Sequence, residues 1–250
     1  MKVVVVGASS GLGRCIAVGL GRQGADVALL ARRKERIQDA AAEAGNGSVA
    51  IACDVTDETS VAEAIGEAAG SIGGIDGLVY TPGIGPLVRI EDTDADEWRR
   101  VFDTNVIGAS LVTAAALPHL QASSGCAMYL SSISASLTPP WAGLGSYAVS
   151  KAALDKLVEA WQVEHPEVGF TRIVVGECGG GEGDAATGFP NEWDGDLAVE
   201  LGPDWVQRGY MTGAMMPVDR LVRVVEMVLE GGAGDTIPSV VVRPRQLPPQ

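Results

Sequence analysis

Tyr147 and Lys151 stand four residues apart in a segment with helical periodicity, so their side chains share one helix face. Lys151 falls near the N-terminal end of that helix, where a cation opposes the macrodipole, so helix stability is a poor reason for it. An ammonium beside a phenol favours the phenolate and brings the tyrosine pKa down from about 10 toward the working range of an acid-base catalyst. An exposed Tyr and Lys that merely share a face would show the same spacing. Asn105 is a second anomaly: it shares a helical stripe with Trp98, Val101, Phe102, Ala109 and Val112. A buried amide there must find partners, either neighbouring backbone or something functional. Ser131 and Ser132 close an apolar run, which sets a hydroxyl at the carboxyl end of a predicted strand.

A second kind of chemistry is written near the N-terminus. Gly7-Ala8-Ser9-Ser10-Gly11-Leu12-Gly13 follows an apolar strand directly and opens a helix. Glycines permit the tight turn and close backbone approach, and the free N–H groups of the helix start attract a pyrophosphate. About twenty residues on, a carboxylate would meet the adenosine ribose of NAD, whereas an arginine accepts the 2′-phosphate of NADP. Here the second strand runs out into Arg32 and Arg33 with no acid, which favours NADP(H) over NAD(H), with Ser9 and Ser10 as hydroxyl donors. Arg33, Lys34 and Arg36 also open a helix, where they would serve equally as a solvated face. Asp54-Val55, after the third strand, is placed to meet the adenine, or Asp54 simply caps the next turn.

These groups need a scaffold that gathers them. Short β-branched runs alternate with amphipathic stretches, predicting strands at 2–6, 26–30, 48–53, 77–81, 126–131, 171–175 and 239–243. Helices are predicted at 11–23, 33–44, 57–71, 94–117, 145–165 and 217–230. This is the pattern of a single-domain, Rossmann-like, doubly wound parallel α/β sheet of about seven strands spanning 1–250. Ligands of such sheets bind at the carboxyl ends of the strands, which aims Ser132, Tyr147 and the glycine turn at one crevice. Residues 177–216 break the rhythm and read as a substrate lid, opened by the glycine-rich hinge Cys178 to Asp184. Within it Phe189, Trp193, Trp205, Tyr210, Met211, Met215 and Met216, faced by Trp141, suit a lipophilic ketone or alcohol, or are plain core. Pro244, Pro248 and Pro249 predict an extended tail.

The formal charge of −14 repels nucleic-acid phosphates and anionic membranes. Four scattered cysteines without metal-ligand spacing make a disulfide framework or a metal site improbable. The apolar start is too short for a signal peptide and nowhere do 18 apolar residues occur in succession, so a cytoplasmic protein is expected.

Taken together, Gly7-x-x-x-Gly11-x-Gly13, Asp54-Val55, Asn105, Ser131-Ser132 and Tyr147-Ala-Val-Ser-Lys151 resemble the classical short-chain dehydrogenase/reductase family. The resemblance covers about 1–176 and, more loosely, 217–243. It implies an oxidoreductase interconverting a carbonyl and a secondary alcohol. Tyr147 would exchange the proton and Lys151 would bond the nicotinamide ribose and lower the Tyr147 pKa. Ser132 would orient the carbonyl, with Ser134 the alternative by spacing, and Asn105 would hold a water in a relay to Lys151. Thr81, Gly83 and Gly179 would join the cofactor wall, and a homodimer or homotetramer is expected. Several positions depart from the family pattern: Val6 replaces a threonine, Tyr80-Thr81-Pro82-Gly83 replaces Asn-Asn-Ala-Gly, Val174 replaces an asparagine, and Cys178-Gly179 replaces Pro-Gly. The threonine that meets the carboxamide is displaced to Thr187. These changes motivate the alternative of a non-catalytic, cofactor-binding sensor or scaffold.

Overall fold

The structure, a computed structural model, describes residues 1–45, 47–232, 234–235 and 237–245. Pro248 and Pro249 of the expected tail lie outside the described residues. Seven parallel strands form one sheet: β1 (Lys2–Val6), β2 (Asp26–Ala31), β3 (Val49–Ala52), β4 (Gly77–Tyr80), β5 (Cys126–Ser132), β6 (Gly169–Val175) and β7 (Ser239–Val242). Their spatial order is β3-β2-β1-β4-β5-β6-β7. The order reverses between β1 and β4, where the connections leave toward opposite edges and a crevice opens at the carboxyl ends.

The strands read as continuous apolar runs because successive side chains enter two cores. Val3, Val5, Leu29, Val79 and Met128 face the layer of α1 (Gly11–Arg22), α2 (Lys34–Ala44) and α9 (Val218–Gly231). Val4, Val6, Leu30, Leu78, Tyr80 and Tyr129 face the layer of α3 (Glu58–Ile72), α5 (Gly108–Ser123) and α7 (Gly145–Glu164). Each fully buried Val or Leu contributes roughly 1.5–3 kcal/mol, so both strand faces anchor the loops at the carboxyl ends.

The helix expected at 94–117 is divided. α4 (Ala95–Phe102) passes into a π-helical turn, Asp103–Ile107, before α5 continues to Ser123. The buried Tyr80 phenol donates to Thr104 O at 2.5 Å and holds a carbonyl of that turn. By length and apolarity Ala95–Ser123 matches a membrane span, but Val101, Ala109, Val112, Ala116 and Leu120 are fully buried inside this protein, which accounts for its apolar face.

Residues 177–216 contain an element that their composition hid. α8 (Gly195–Gln207) starts at Asp194, whose carboxylate accepts from Asp196 N and Leu197 N. Leu197, Leu201 and Trp205, spaced by four, form its inner stripe, while Gly195, Gly202 and Pro203 mask the periodicity. Leu201 and Trp205 join Leu87 and Leu144 in a third core under the lid. A short helix, α6 (Ile133–Ser136), also went unforeseen.

Candidate active site

A cavity of about 820 Å³ runs from the glycine turn to the lid. Its phosphate end is built by the β1–α1 turn. Gly7 has φ +84°, and a Cβ on Gly13 would stand 2.5 Å from Gly7 O, so neither position tolerates a side chain. Ser10 precedes α1 with extended backbone, but its side chain makes no capping bond, which leaves the first N–H groups of α1 open to an anion. The hydroxyls turn to Arg33 instead: its Nη2 donates to Ser9 Oγ and Ser10 Oγ, each at 2.8 Å, and its Nε to Ser9 Oγ at 3.2 Å. Arg32 and Arg36 line the same end. Burial and the nearby Arg36 and Arg32 charges lower the Arg33 pKa, the signature of a cation cluster that an anion would relieve. Asp54 and Val55 line the wall beyond, with Asp54 Oδ1 accepting from Thr56 N at 3.0 Å and Thr56 Oγ1 at 2.8 Å, so this acid caps its own turn. Leu12 and Gly11 complete this end.

At the other end β5 delivers Ser132 and α7 delivers Tyr147 and Lys151. Ser132 Oγ lies 3.0 Å from Ser134 Oγ and accepts from Ser134 N at 3.3 Å. Ser132 is the neighbour that draws the Tyr147 pKa down, with Ser134 one step behind. Lys151 is buried, 5.9 Å from the Tyr147 ring centroid, and its Nζ donates to Leu130 O at 2.7 Å. The expected lowering of the Tyr147 pKa is not what the structure shows. Burial pushes Tyr147 up to about 12 against the partial opposition of Ser132, and burial pushes Lys151 down to about 8. An ammonium turned toward a carbonyl and itself resisting ionisation exerts little pull on the phenol.

Asn105 lies behind the cavity wall: its Oδ1 accepts from Ile84 N at 2.9 Å, and its Nδ2 donates to Ile84 O and Ser150 Oγ, each at 2.9 Å. An amide so occupied clamps the 83–85 loop to α7. Thr81 does line the cavity, yet its hydroxyl donates to Val6 O at 2.6 Å and sits where a Cβ of Gly7 would be. It braces the glycine turn in place of the family's asparagine. Gly83, Gly179 and Thr187 line the cavity, and Thr187 packs 3.1 Å from a Cβ position on Gly11. Cys178 is pushed up to about 11 by burial, with Cys15 and Asp219 acting the same way, which leaves an inert thiol.

Residues 189–205 cover the reactive end. The Phe189 ring meets Tyr147 edge-on at 4.8 Å, and Trp193 and Trp205 follow in edge contacts. Trp193 Nε1 donates to Gly85 O at 2.8 Å and Trp205 Nε1 to Ala142 O at 3.1 Å. Arg100 pairs with Glu192 and Arg89 with Glu200 across the same seam. Glu177, at the lid's base, accepts from Thr212 N at 2.6 Å and Gly213 N at 3.2 Å. Arg36, Ile84 and Ser150 were not singled out for the site from sequence; Arg36 alone left a signal, one turn beyond Arg33 on α2. Among the described residues no cluster of His, Cys, Asp and Glu suits a metal ion.

A parallel sheet in this order, a glycine-rich turn at its switch point and a serine-tyrosine-lysine group facing it define the class of dinucleotide-binding oxidoreductases. The chain belongs to the short chain dehydrogenase family, whose model matches residues 1–188. It is 33% identical over 180 residues to an 11-beta-hydroxysteroid dehydrogenase-like protein of Arabidopsis thaliana, covering 70% of this chain and 58% of that one. It is 32% identical over 164 residues to meso-2,3-butanediol dehydrogenase of Serratia marcescens, covering 65% and 64%. Each match thus spans under two thirds of the relative's length. An alcohol dehydrogenase from the archaeon Thermococcus sibiricus, complexed with 5-hydroxy-NADP, shares the fold with a TM-score of 0.81 at 24% identity over 99% of this chain and 98% of its own. The family is one of NAD(P)-dependent oxidoreductases acting on small molecules.

Proposed function

We propose that this protein is an NADP(H)-dependent oxidoreductase that interconverts a carbonyl and a secondary alcohol, with Tyr147 as general acid and base. The observation that carries the cofactor preference is the Arg33 guanidinium fixed on Ser9 and Ser10, beside Arg32 and Arg36, with Asp54, an acid lining the same cavity, bonded to its own turn. A dinucleotide fits the residues present: Gly7, Gly11 and Gly13 leave room that a Cβ would fill, and the uncapped start of α1 faces that room. When bound, the nicotinamide supplies or accepts the hydride.

The chain's own residues do the rest. Ser132 orients the substrate oxygen and holds the Tyr147 hydroxyl toward it. Tyr147, kept protonated by burial, gives its proton to the carbonyl oxygen in reduction and takes it back in oxidation. Lys151, its Nζ 5.9 Å from the Tyr147 ring centroid, stands beside the pair and would hold the cofactor ribose, while Asn105 fixes the 83–85 loop against α7. Phe189, Trp193 and Trp141 exclude water and favour a lipophilic substrate.

The test is a ketone and alcohol panel followed by NADPH absorbance. Turnover is expected with wild type and a loss of ~10²–10⁴-fold with Tyr147→Phe, at unchanged NADPH affinity. Tight NADPH binding with no turnover of any panel member would instead point to a sensor.

A further inference from the structure

α7 presents Tyr147, Lys151 and Asp155 at successive steps of four residues, so all three lie on one face. The first two line the cavity; Asp155 does not, and stands one turn behind Lys151 at 4% exposure. Neither of its carboxylate oxygens makes a hydrogen bond of good geometry, and neither does the buried Ser131 hydroxyl on the facing strand β5. A buried acid with no role in the reaction described above calls for a reason, because an unpartnered carboxylate costs several kcal/mol, roughly, unless charge compensates it.

The surrounding charges supply one. Lys151 and Glu159 flank Asp155 on α7, and Arg172 reaches it from β6, with Nη1 3.8 Å from Asp155 Oδ2 and 2.9 Å from Glu159 Oε1. Glu159 takes Lys156 as well, with Nζ 2.5 Å from Oε2, so Arg172 is shared between Glu159 and the buried Asp155. Lys151 is 3% exposed and its Nζ donates to a neutral carbonyl, Leu130 O. Asp155, one turn on along the same buried face, is the first carboxylate of α7 within reach of Lys151, and Arg172 competes for it.

We propose that Asp155 is a positioning residue whose carboxylate is the counter-charge that keeps Lys151 an ammonium inside the apolar site. Its consequence for turnover rests on the acid-base reading of Tyr147 and Lys151 given above; its effect on Lys151 itself does not. Burial pulls the Lys151 pKa down, and Asp155 is the neighbour that opposes the fall. Asp155 is in turn raised by burial and held back by Ser131, Arg172 and Lys151.

The chain has four lysines, Lys2, Lys34, Lys151 and Lys156, so carbon-13 labelling of their ε-methylenes gives a spectrum in which Lys151 is assigned by its loss in Lys151→Met. In Asp155→Asn the Lys151 titration midpoint is expected to fall by about one pH unit or more, and in Asp155→Glu to return toward wild type. An unchanged midpoint in folded Asp155→Asn overturns the proposal. Should that variant fail to fold, Arg172→Gln carries the test with the opposite sign. Removing the competing cation leaves Asp155 to Lys151 and must raise the midpoint, and a fall or no change overturns the proposal. These readouts need neither substrate nor cofactor. If the Lys151 midpoint moves as expected while the pH profile of kcat/KM does not, the counter-charge stands and the acid-base reading fails.

Discussion

In the proposed function, Arg33 is the side chain that decides between two cofactors differing by a phosphate. Its guanidinium is held by Ser9 and Ser10 before any anion arrives, so little ordering cost remains for the 2′-phosphate. Arg33→Ala is expected to weaken NADPH roughly 10–100-fold, the size of a lost charge-assisted bond, and to leave NADH nearly unchanged. Equal loss for both cofactors, measured by fluorescence titration, would remove the 2′-phosphate assignment. Tyr147 carries a pH prediction of definite sign. Its raised pKa keeps the acid form in place, so carbonyl reduction should hold its rate into alkaline solution, whereas alcohol oxidation, which needs the base form, should climb with pH. Profiles of kcat/KM in the two directions check this, and an oxidation rate that falls above neutrality would contradict it. Residue types and spacing made Ser132, Tyr147, Lys151 and Arg33 legible before any fold was known. The direction of the Tyr147 pKa was not legible, because the desolvation responsible comes from groups such as Phe189, 42 positions away.

Among elements, the π-turn at 103–107 shows how backbone irregularity positions a side chain. One extra residue in the turn carries Asn105 to the 83–85 loop, and the Tyr80 phenol occupies the Thr104 carbonyl there. Tyr80→Phe strands a carbonyl and is expected to cost about 1–3 kcal/mol, read as a lower midpoint of denaturant unfolding, together with reduced kcat through a misplaced Asn105. Loss of stability without loss of kcat would mean that the turn serves the fold alone. The sheet strands were readable because burial on both faces leaves near-continuous Val, Ile, Leu and Ala. The π-turn left no mark in the apolar stripe, since one inserted residue rotates the pattern by less than its own width. α8 was hidden for a different reason: Gly195, Gly202 and Pro203 lower helix propensity, and only its packing on Leu87 and Leu144 overrides them.

For the molecule as a whole, a charge of −14 coexists with a cavity whose phosphate end is rimmed by Arg32, Arg33 and Arg36. One segment spans both halves of that cavity: Thr187 packs over the glycine turn and Phe189 lies on Tyr147. In the proposed function, dinucleotide and substrate would both leave past it, and its opening would limit every cycle alike. Reduction of fast and slow-reacting ketones should then approach the same kcat, and that kcat should fall in proportion as glycerol or sucrose thickens the solution. Rates that differ between ketones and ignore viscosity would place the limit in bond-making.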